Sequence, residues 1–239
     1  MKKLSIILPA YNEGQRIETS VAILKKKADE LAIDYEIIIV NDGSSDSTLA
    51  KAQVCASDNV KILSYGQNRG KGYAIRHGML NSEGQYKLFM DVDLSTSLES
   101  LKEFLELMEG GQYDVIIGDR KSHSARLEVK QPLYRVFFGK GFTFLAILFI
   151  GHNVNDFTCG FKMYTKEAAD IIFKRQQIFN WAFDAELVYI AFLHALRVHE
   201  APVTWRHYGN SKVRLFRDIT RSLHGLITLR INALKGLYK

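Results

Sequence analysis

The chain has 239 residues, 47% of them hydrophobic and 24% charged, and this composition excludes a disordered or fibrous protein. Its formal net charge of +6 suits an anionic partner, and a membrane surface is favoured over nucleic acid because no nucleic-acid-binding motif is present. The longest apolar run, 142–150, is about half the length of a membrane-spanning helix, so no membrane span is predicted.

Short apolar runs alternate with helical patterns over the first half of the chain. The run at 36–40 is too rich in β-branched residues for a surface helix and reads as a buried strand. Strands are predicted at 4–8, 36–40, 60–64, 86–90 and 115–118, and helices at 17–31, 47–57, 72–80 and 98–108. This alternation predicts an α/β fold with a mostly parallel, doubly wound sheet.

The second half is less regular, with a strongly apolar stretch at 133–150 and a predicted helix at 182–196. Near the C-terminus, apolar residues recur at spacings of three and four, which predicts an amphipathic helix. This apolar stripe consists of Phe216, Ile219, Leu223, Ile227, Ile231, Leu234 and Tyr238, and the basic residues beside it are Arg217, Arg221, Lys235 and Lys239. Such a helix either lies on a membrane surface or packs on the sheet, and the pattern leaves both open.

Two carboxylates, Asp91 and Asp93, directly follow the predicted strand that ends at Met90. Strand alternation places both side chains on one face, where they repel each other unless a cation lies between them. Oxygen ligands favour Mg²⁺ or Mn²⁺, and Mg²⁺ usually combines one or two carboxylates with substrate phosphates. The sequence therefore predicts a metal site here, with a solvated strand end as the alternative.

Polar and acidic loops also follow the first two predicted strands, at 9–13 and 41–48. In open α/β sheets, ligands bind outside the carboxyl ends of the strands. The three loops together predict a binding site at this edge of the sheet, and the alternative is three ordinary capped turns.

Several short motifs resemble those of the family 2 glycosyltransferases, which have the GT-A fold. The widely shared motifs are at 8–13, 40–46, 68–72 and 91–93. Narrower motifs are similar to those of the lipid-phosphate branch, the dolichyl-phosphate β-glucosyltransferases and polyprenyl-phosphate glycosyltransferases. They lie at 159–164, 181–187 and 211–213.

The resemblance extends over nearly the whole chain and implies a GT-A (Rossmann-like), mostly parallel sheet flanked by helices. It implies one domain, 1–239, in which residues 1–120 bind the nucleotide sugar and residues 121–215 bind the acceptor. Residues 216–239 would then form the basic amphipathic C-terminal helix.

The implied function is inverting, metal-dependent transfer of a hexose to a polyprenyl or dolichyl phosphate, with Mg²⁺ or Mn²⁺ as cofactor. UDP-glucose is the first candidate donor and GDP-mannose the second. The enzyme would be peripheral on the cytoplasmic face of a membrane and would not bind nucleic acid. Two alternatives remain: transfer to a saccharide or protein hydroxyl, and a sugar-nucleotide-binding regulator without turnover.

The resemblance also assigns the donor side of the site. Asp91 and Asp93 would hold the metal, Asp42 would contact the base and Glu13 the ribose. The full set implied for the nucleotide sugar is Pro9, Ala10, Tyr11, Glu13, Asp42, Lys71, Asp91, Val92 and Asp93. The alternative for Asp42 is a helix cap, and for Tyr11 it is simple packing.

On the acceptor side, the resemblance implies phosphate contacts from Arg120, Arg135 and Lys212, with Asp93, Asp184, Arg120 and Lys212 as the catalytic set. A hydroxyl acceptor needs a general base, and Asp184 is the candidate. A lipid phosphate is already anionic and needs positioning more than deprotonation, so Asp184 would then orient another group. The alternative for Asp184 is an exposed helix residue.

The chain also departs from the family pattern. Asp119 stands where Gly-Ser-Arg is usual, residues 156–159 differ in order from the usual motif, and Asn210 replaces a glycine. We also expect no N-terminal anchor and no C-terminal membrane pair, which relatives often have.

Overall fold

The computed structural model describes the backbone of residues 2–122, 124–129, 133–180, 182–206 and 215–239. Within these ranges the side chains are described except at 126–140, 142 and 215–222. Arg135 and Lys212, predicted at the acceptor phosphate, therefore lie outside the described side chains.

The first half alternates strands and helices as predicted. Its strands are β1 (Leu4–Ala10), β2 (Tyr35–Asp42), β3 (Val60–Tyr65), β4 (Tyr86–Met90) and β5 (Val115–Asp119). Its helices are α1 (Ile17–Glu30), α2 (Thr48–Val54), α3 (Lys71–Leu80) and α4 (Glu99–Glu109).

The second half contains strands and two helices, at 133–150 and 166–175, that are not among the elements predicted from the sequence. Its strands are β6 (Arg126–Val129), β7 (Phe161–Thr165), β8 (Val198–Pro202) and β9 (Thr204–Arg206). Its helices are α5 (Leu133–Ile150), α6 (Lys166–Arg175), α7 (Phe183–Leu193) and α8 (Leu215–Leu234).

The main sheet has the strand order β3-β2-β1-β4-β7-β5-β8, and β6 and β9 form a small second sheet. Strands β1 to β4 are mutually parallel where they pair, and β5 is parallel to β8. Strand β7 runs antiparallel between β4 and β5, in a register that pairs Phe161 with Met90. The predicted mostly parallel sheet is confirmed. The chain reverses its direction of winding between β1 and β4, which is where open α/β sheets bind ligands.

Each face of the main sheet is covered by helices because the strand side chains alternate between two apolar layers. On one face, Ile7, Ile38 and Phe89 pack with residues of α3, α5, α6, α7 and α8. On the other face, Leu4, Ile6 and Leu8 pack with residues of α1 and α4. Between these two layers, the carboxyl ends of β1, β2, β4 and β5 all lie at one edge of the sheet.

The C-terminal helix α8 packs against the core of the protein, which is one of the two arrangements that the sequence left open. Its Leu226 and Leu229 are buried in the core, together with Tyr238 beyond its end. Four members of the apolar stripe, Leu223, Ile227, Ile231 and Leu234, are 42%, 45%, 45% and 89% exposed. The helix is therefore packed through one face and presents a second apolar row outward. Among the described residues, no helix combines the length and apolarity that crossing a bilayer requires.

Candidate active site

Hydrogen bonds join the loops after β1 and β2 into one unit. The Asn12 N–H donates to Ser44 Oγ at 3.0 Å, and the Ser45 N–H donates back to Asn12 Oδ1 at 2.9 Å. The Gly14 N–H donates to Asp46 Oδ2 at 3.1 Å, and the other oxygen of Asp46 accepts from the Thr48 N–H at 2.9 Å. Asp46, rather than Asp42, thus supports the start of α2. The Tyr11 ring beside this unit is 41% exposed, so packing accounts for only part of its surface.

Asp42 is almost fully buried at the end of β2 and organises the loop that leads into α3. Its Oδ1 accepts from the Arg69 N–H at 2.7 Å. Its Oδ2 accepts from Asn68 Nδ2 at 2.9 Å and from the Gly70 N–H at 3.0 Å. The helix-cap alternative for Asp42 is wrong, because this carboxylate holds residues 68–70. Contact of Asp42 with a base stays a prediction.

Asp91 and Asp93 directly follow β4, in a turn where the Leu94 N–H donates to the Asp91 carbonyl oxygen at 3.1 Å, and Val92 is buried between them. Asp91 Oδ1 pairs with Lys71 Nζ at 2.5 Å, and Asp93 Oδ1 accepts from the Ser95 N–H at 2.9 Å. Burial alone would lower the pKa of Lys71, but the carboxylates of Asp91 and Asp184 outweigh it, and the pKa is raised. The first residue of α3 is thus a cation that already faces one of the two predicted metal ligands.

The backbone beside Asp91 is shaped around its carboxylate. Gly160 precedes β7, and the register of Phe161 with Met90 brings it alongside Asp91. A Cβ atom at position 160 would lie 2.1 Å from Asp91 Oδ2, so only glycine leaves room for this carboxylate. The residues fit a hard divalent cation, because two carboxylates follow one strand and both remain partly exposed. No cluster of three or more metal-ligating side chains occurs in the described part of the chain.

Arg120 follows β5 at the same edge of the sheet and is held by Asp156. Its Nε and Nη2 donate to the two carboxylate oxygens at 2.7 and 2.8 Å, and Nη2 also donates to Thr158 Oγ1 at 2.9 Å. Burial would raise the pKa of Asp156, but the Arg120 guanidinium lowers it to about 2. Arg120 lies within electrostatic range of Asp91, one of the two predicted metal ligands.

The two departures from the family pattern near Arg120 have structural roles. Asp156 fixes the guanidinium of Arg120. Asp119 is buried, and its Oδ1 accepts from the N–H groups of Lys121 and Ser122 at 2.7 and 3.1 Å. Its Oδ2 accepts from Asn155 Nδ2 at 3.2 Å. The carboxylate of Asp119 therefore shapes the turn that follows Arg120.

Asp184 lies in the first turn of α7, and the interpretation as an exposed helix residue is wrong, since it is 7% exposed. Its Oδ1 accepts a hydrogen bond from Nζ of Lys162, a fully buried lysine on β7. Burial raises the pKa of Asp184, with Lys162 and Lys71 opposing the rise. Lys162 is not among the residues predicted from the sequence, although a lysine between Phe161 and Met163 in an otherwise apolar run is a visible signal.

Glu186, two residues further along α7, is completely buried and ties the C-terminus to the core. Its Oε1 accepts from the Tyr238 hydroxyl at 2.6 Å and from the Gln177 N–H at 3.0 Å. Its Oε2 accepts from the Ile178 N–H at 2.8 Å. Burial raises the pKa of Glu186 to about 7, even though these hydrogen bonds favour the ionised form. The role of Glu186 is therefore structural.

This raised pKa predicts a pH-dependent stability. As pH rises from about 4.5 to 7, the unfolded chain loses the Glu186 proton while the folded protein keeps it. The free energy of unfolding should therefore fall through this window, by roughly 3 kcal/mol at 1.36 kcal/mol per pKa unit. Urea unfolding from pH 4.5 to 8 should show this loss in the wild type and in the exposed control Glu103→Gln. In Glu186→Gln the loss of unfolding free energy over this window should be smaller by about the same amount, and parallel curves for Glu186→Gln and wild type would contradict the prediction.

Comparison with known proteins places this site in a family. The profile described as "Glycosyl transferase family 2" matches residues 5–173. Human dolichyl-phosphate β-glucosyltransferase is 32% identical over 252 residues, which cover 100% of this chain and 78% of the human protein. The Saccharomyces cerevisiae protein of the same name is 30% identical over 259 residues, covering 99% of this chain and 76% of the yeast protein.

A solved structure shows the same fold at lower identity. Glucosyl-3-phosphoglycerate synthase from Mycobacterium tuberculosis, crystallised with Mn²⁺ and UDP-glucose, superposes with a TM-score of 0.66 at 18% identity. The superposition covers 95% of this chain and 79% of that one. Together, the strand-end carboxylates, the sheet order and these matches show that the chain belongs to glycosyl transferase family 2 and is a glycosyltransferase of the GT-A fold.

Proposed function

We propose that this glycosyltransferase moves a hexose from a nucleotide sugar to a polyprenyl or dolichyl phosphate, with inversion, at the cytoplasmic face of a membrane. UDP-glucose is the first candidate donor and GDP-mannose the second. In one domain, 1–239, residues 1–120 would bind the donor and residues 121–215 the acceptor. The observation that carries the proposal is the Asp91 carboxylate directly after β4, which pairs with Lys71 at 2.5 Å and has the charges of Arg120 and Asp184 within electrostatic range.

The donor assignment follows from the charges at this edge of the sheet. Asp91 and Asp93 are the residues that would hold Mg²⁺ or Mn²⁺, which supplies Lewis-acid neutralisation of a leaving diphosphate when bound. Lys71 adds a positive charge at the same carboxylate. Tyr11, Glu13 and Asp42 are proposed as contacts to the nucleoside by the motif resemblance. Glucose as the sugar is supported by the relatives that are named glucosyltransferases and by the structure of similar fold that was crystallised with UDP-glucose.

The acceptor assignment rests on Arg120 and on the relatives. The bidentate ion pair with Asp156 fixes the Arg120 guanidinium, and among the described residues none accepts a hydrogen bond from its Nη1. A preorganised guanidinium suits phosphate recognition. Arg135 and Lys212 are proposed as further phosphate contacts by the motif resemblance alone. The curated relatives are named for a dolichyl-phosphate acceptor, which supports the same class here.

A hydroxyl acceptor is the second candidate, and Asp184 is the observation that favours it. A hydroxyl nucleophile needs a general base, and a buried carboxylate at the site could serve as one. An assay with labelled UDP-glucose and Mn²⁺ separates the candidates. It compares a polyprenyl phosphate, an oligosaccharide and no acceptor, with GDP-mannose run in parallel. Label transfer to the polyprenyl phosphate is expected, whereas transfer to the oligosaccharide alone would overturn the lipid assignment.

Membrane association is proposed from the outward apolar row of α8 and the neighbouring helix α5, which pack against each other. On α5, Phe144 and Leu148 are 68% and 65% exposed. The basic residues Arg230, Lys235 and Lys239 near this surface are also exposed. An apolar row flanked by cations suits an anionic lipid surface.

The membrane proposal predicts salt-sensitive binding to vesicles. The triple variant Arg230→Glu, Lys235→Glu and Lys239→Glu should bind anionic vesicles on the order of 100-fold more weakly, at about 1 kcal/mol per basic residue. Ile227→Asp should also weaken binding, whereas Val54→Asp, a matched change at a 76% exposed apolar residue of α2, should not. Co-sedimentation at low and high salt measures this, since salt screens the charge contribution. Wild-type protein that ignores anionic vesicles at low salt would contradict the proposal.

A further inference from the structure

The ion pair between Lys162 and Asp184 has an asymmetric environment. The Lys162 side chain is 0% exposed, whereas that of Asp184 is 10% exposed. Lys162 Nζ also donates to the Cys159 carbonyl at 2.8 Å and lies 5.1 Å from the centroid of the Phe89 ring. The ammonium group thus lies in the core, and the carboxylate is the partner that remains partly exposed.

Both partners come from elements that already shape the candidate active site. Lys162 lies on β7, two residues after Gly160, and pairs in the sheet with Phe89 and Ile117. Next to Asp184 in the first turn of α7, Phe183 packs so closely on Gly72 that a Cβ atom there would lie 2.8 Å from the Phe183 Cβ. The start of α7 is therefore fixed against the start of α3, where Lys71 pairs with Asp91.

Stability alone is a poor reason for such a pair. Removing a lysine and a carboxylate from water costs more than their attraction usually returns, and well-packed apolar residues often serve as well. The Asp184 Oδ2 atom accepts no hydrogen bond from any described residue, so one oxygen is held by Lys162 while the other remains available. A carboxylate that acts on a substrate needs one oxygen held in place by the protein and the other oxygen accessible. Asp184 meets both conditions.

We propose that Lys162 is a positioning residue that holds the Asp184 carboxylate in one place and orientation beside Lys71 and Asp91. The proposal rests on the proposed function, because it gives Asp184 a role in sugar transfer, as a base or as an orienting group. Lys162 itself touches neither donor nor acceptor. Burial favours the protonated form of Asp184, and Lys162 is the first of the groups that oppose this.

A double-mutant cycle tests the proposal with Lys162→Met, Asp184→Asn and the two changes combined. Asp184→Asn should lower kcat by about 100-fold, the usual range for a positioned acid or base. Lys162→Met should lower kcat roughly tenfold or more, and the double variant should be no slower than Asp184→Asn alone, because Lys162 acts through Asp184. The donor KM should stay within about twofold, since Asp91 and Asp93 are unchanged. Lys162→Arg, which keeps the cation, should recover part of kcat.

Two outcomes overturn the proposal: a folded Lys162→Met variant with wild-type kcat, or a double variant roughly tenfold slower than Asp184→Asn. Lys162→Met could fail to fold because it leaves Asp184 buried without its partner. In that case, the comparison of kcat between the double variant and Asp184→Asn still tests the proposal. The double variant removes both charges and should fold. Failure of the proposed acceptor is recognised separately, as wild-type protein that does not transfer to polyprenyl phosphate. The cycle is then measured on the oligosaccharide acceptor or, if neither accepts sugar, on donor hydrolysis.

Discussion

Asp93→Ala should abolish sugar transfer, lowering kcat/KM by about 1000-fold or more, because a Lewis-acid contact to the diphosphate is worth several kcal/mol. Donor binding should weaken in the presence of Mn²⁺, since one of the two carboxylates that would hold the cation is lost. The fold should be retained, because Asp93 is only half-buried and its carboxylate accepts from the neighbouring Ser95 N–H. Calorimetric titration with UDP and Mn²⁺ measures the binding loss independently of turnover.

The matched control for this variant is Asp58→Ala. Asp58 is exposed and precedes β3, so it lies at the amino ends of the strands, on the opposite edge of the sheet. Its removal should leave both transfer and Mn²⁺-dependent UDP binding unchanged. Full wild-type activity in excess chelator would contradict the metal assignment, as would an Asp93→Ala variant with normal turnover.

Gly160→Ala should be nearly as damaging, although it adds one methyl group and removes no functional atom. The new Cβ atom would meet Asp91 Oδ2 at 2.1 Å and Cγ at 2.6 Å, so either the carboxylate or strand β7 must move. The Asp91 side chain is short and already paired with Lys71, so it cannot move away from the new methyl group without weakening this ion pair. A displacement of about 1 Å at a reacting site costs on the order of 100-fold in rate. Transfer assays and Mn²⁺ titration should both show the loss.

Gly110→Ala is the matched control for this substitution. Gly110 lies at the C-terminal end of α4, where a Cβ atom would make only an ordinary contact, 3.4 Å from the Leu107 carbonyl oxygen. Thermal unfolding of both variants separates a local effect on Asp91 from a general loss of stability. If Gly160→Ala binds Mn²⁺ and transfers sugar like the wild type, Asp91 does not depend on the close approach of Gly160.

The strands and helices of the first half could be read from the chain because each depends on local pattern. Strand β2 contains the continuous apolar, β-branched run 37–40, and helix α4 repeats its buried residues at helical spacing. In the second half, β7 carries a buried lysine and β8 is only partly buried, so neither shows a clear strand pattern. Their hydrogen-bonding partners, β4 and β5, are distant in sequence, and local spacing contains no information on such pairing.

The sequence by itself determined the composition of the candidate site: a carboxylate pair after β4, polar loops after β1 and β2, and, through the motif resemblance, Arg120 after β5. Parallel strands deliver these residues to one edge, so their order in the chain was enough. Only the tertiary structure decided how each charge is partnered. Asp42 holds the loop at 68–70, Arg120 is held by Asp156, and Asp184 is held by Lys162. Likewise, the packing of Leu226 and Leu229 decided which face of α8 is outward. These contacts join elements that are far apart in sequence, and burial strengthens each of them. Neither the pairing nor the burial can be predicted from a local sequence pattern.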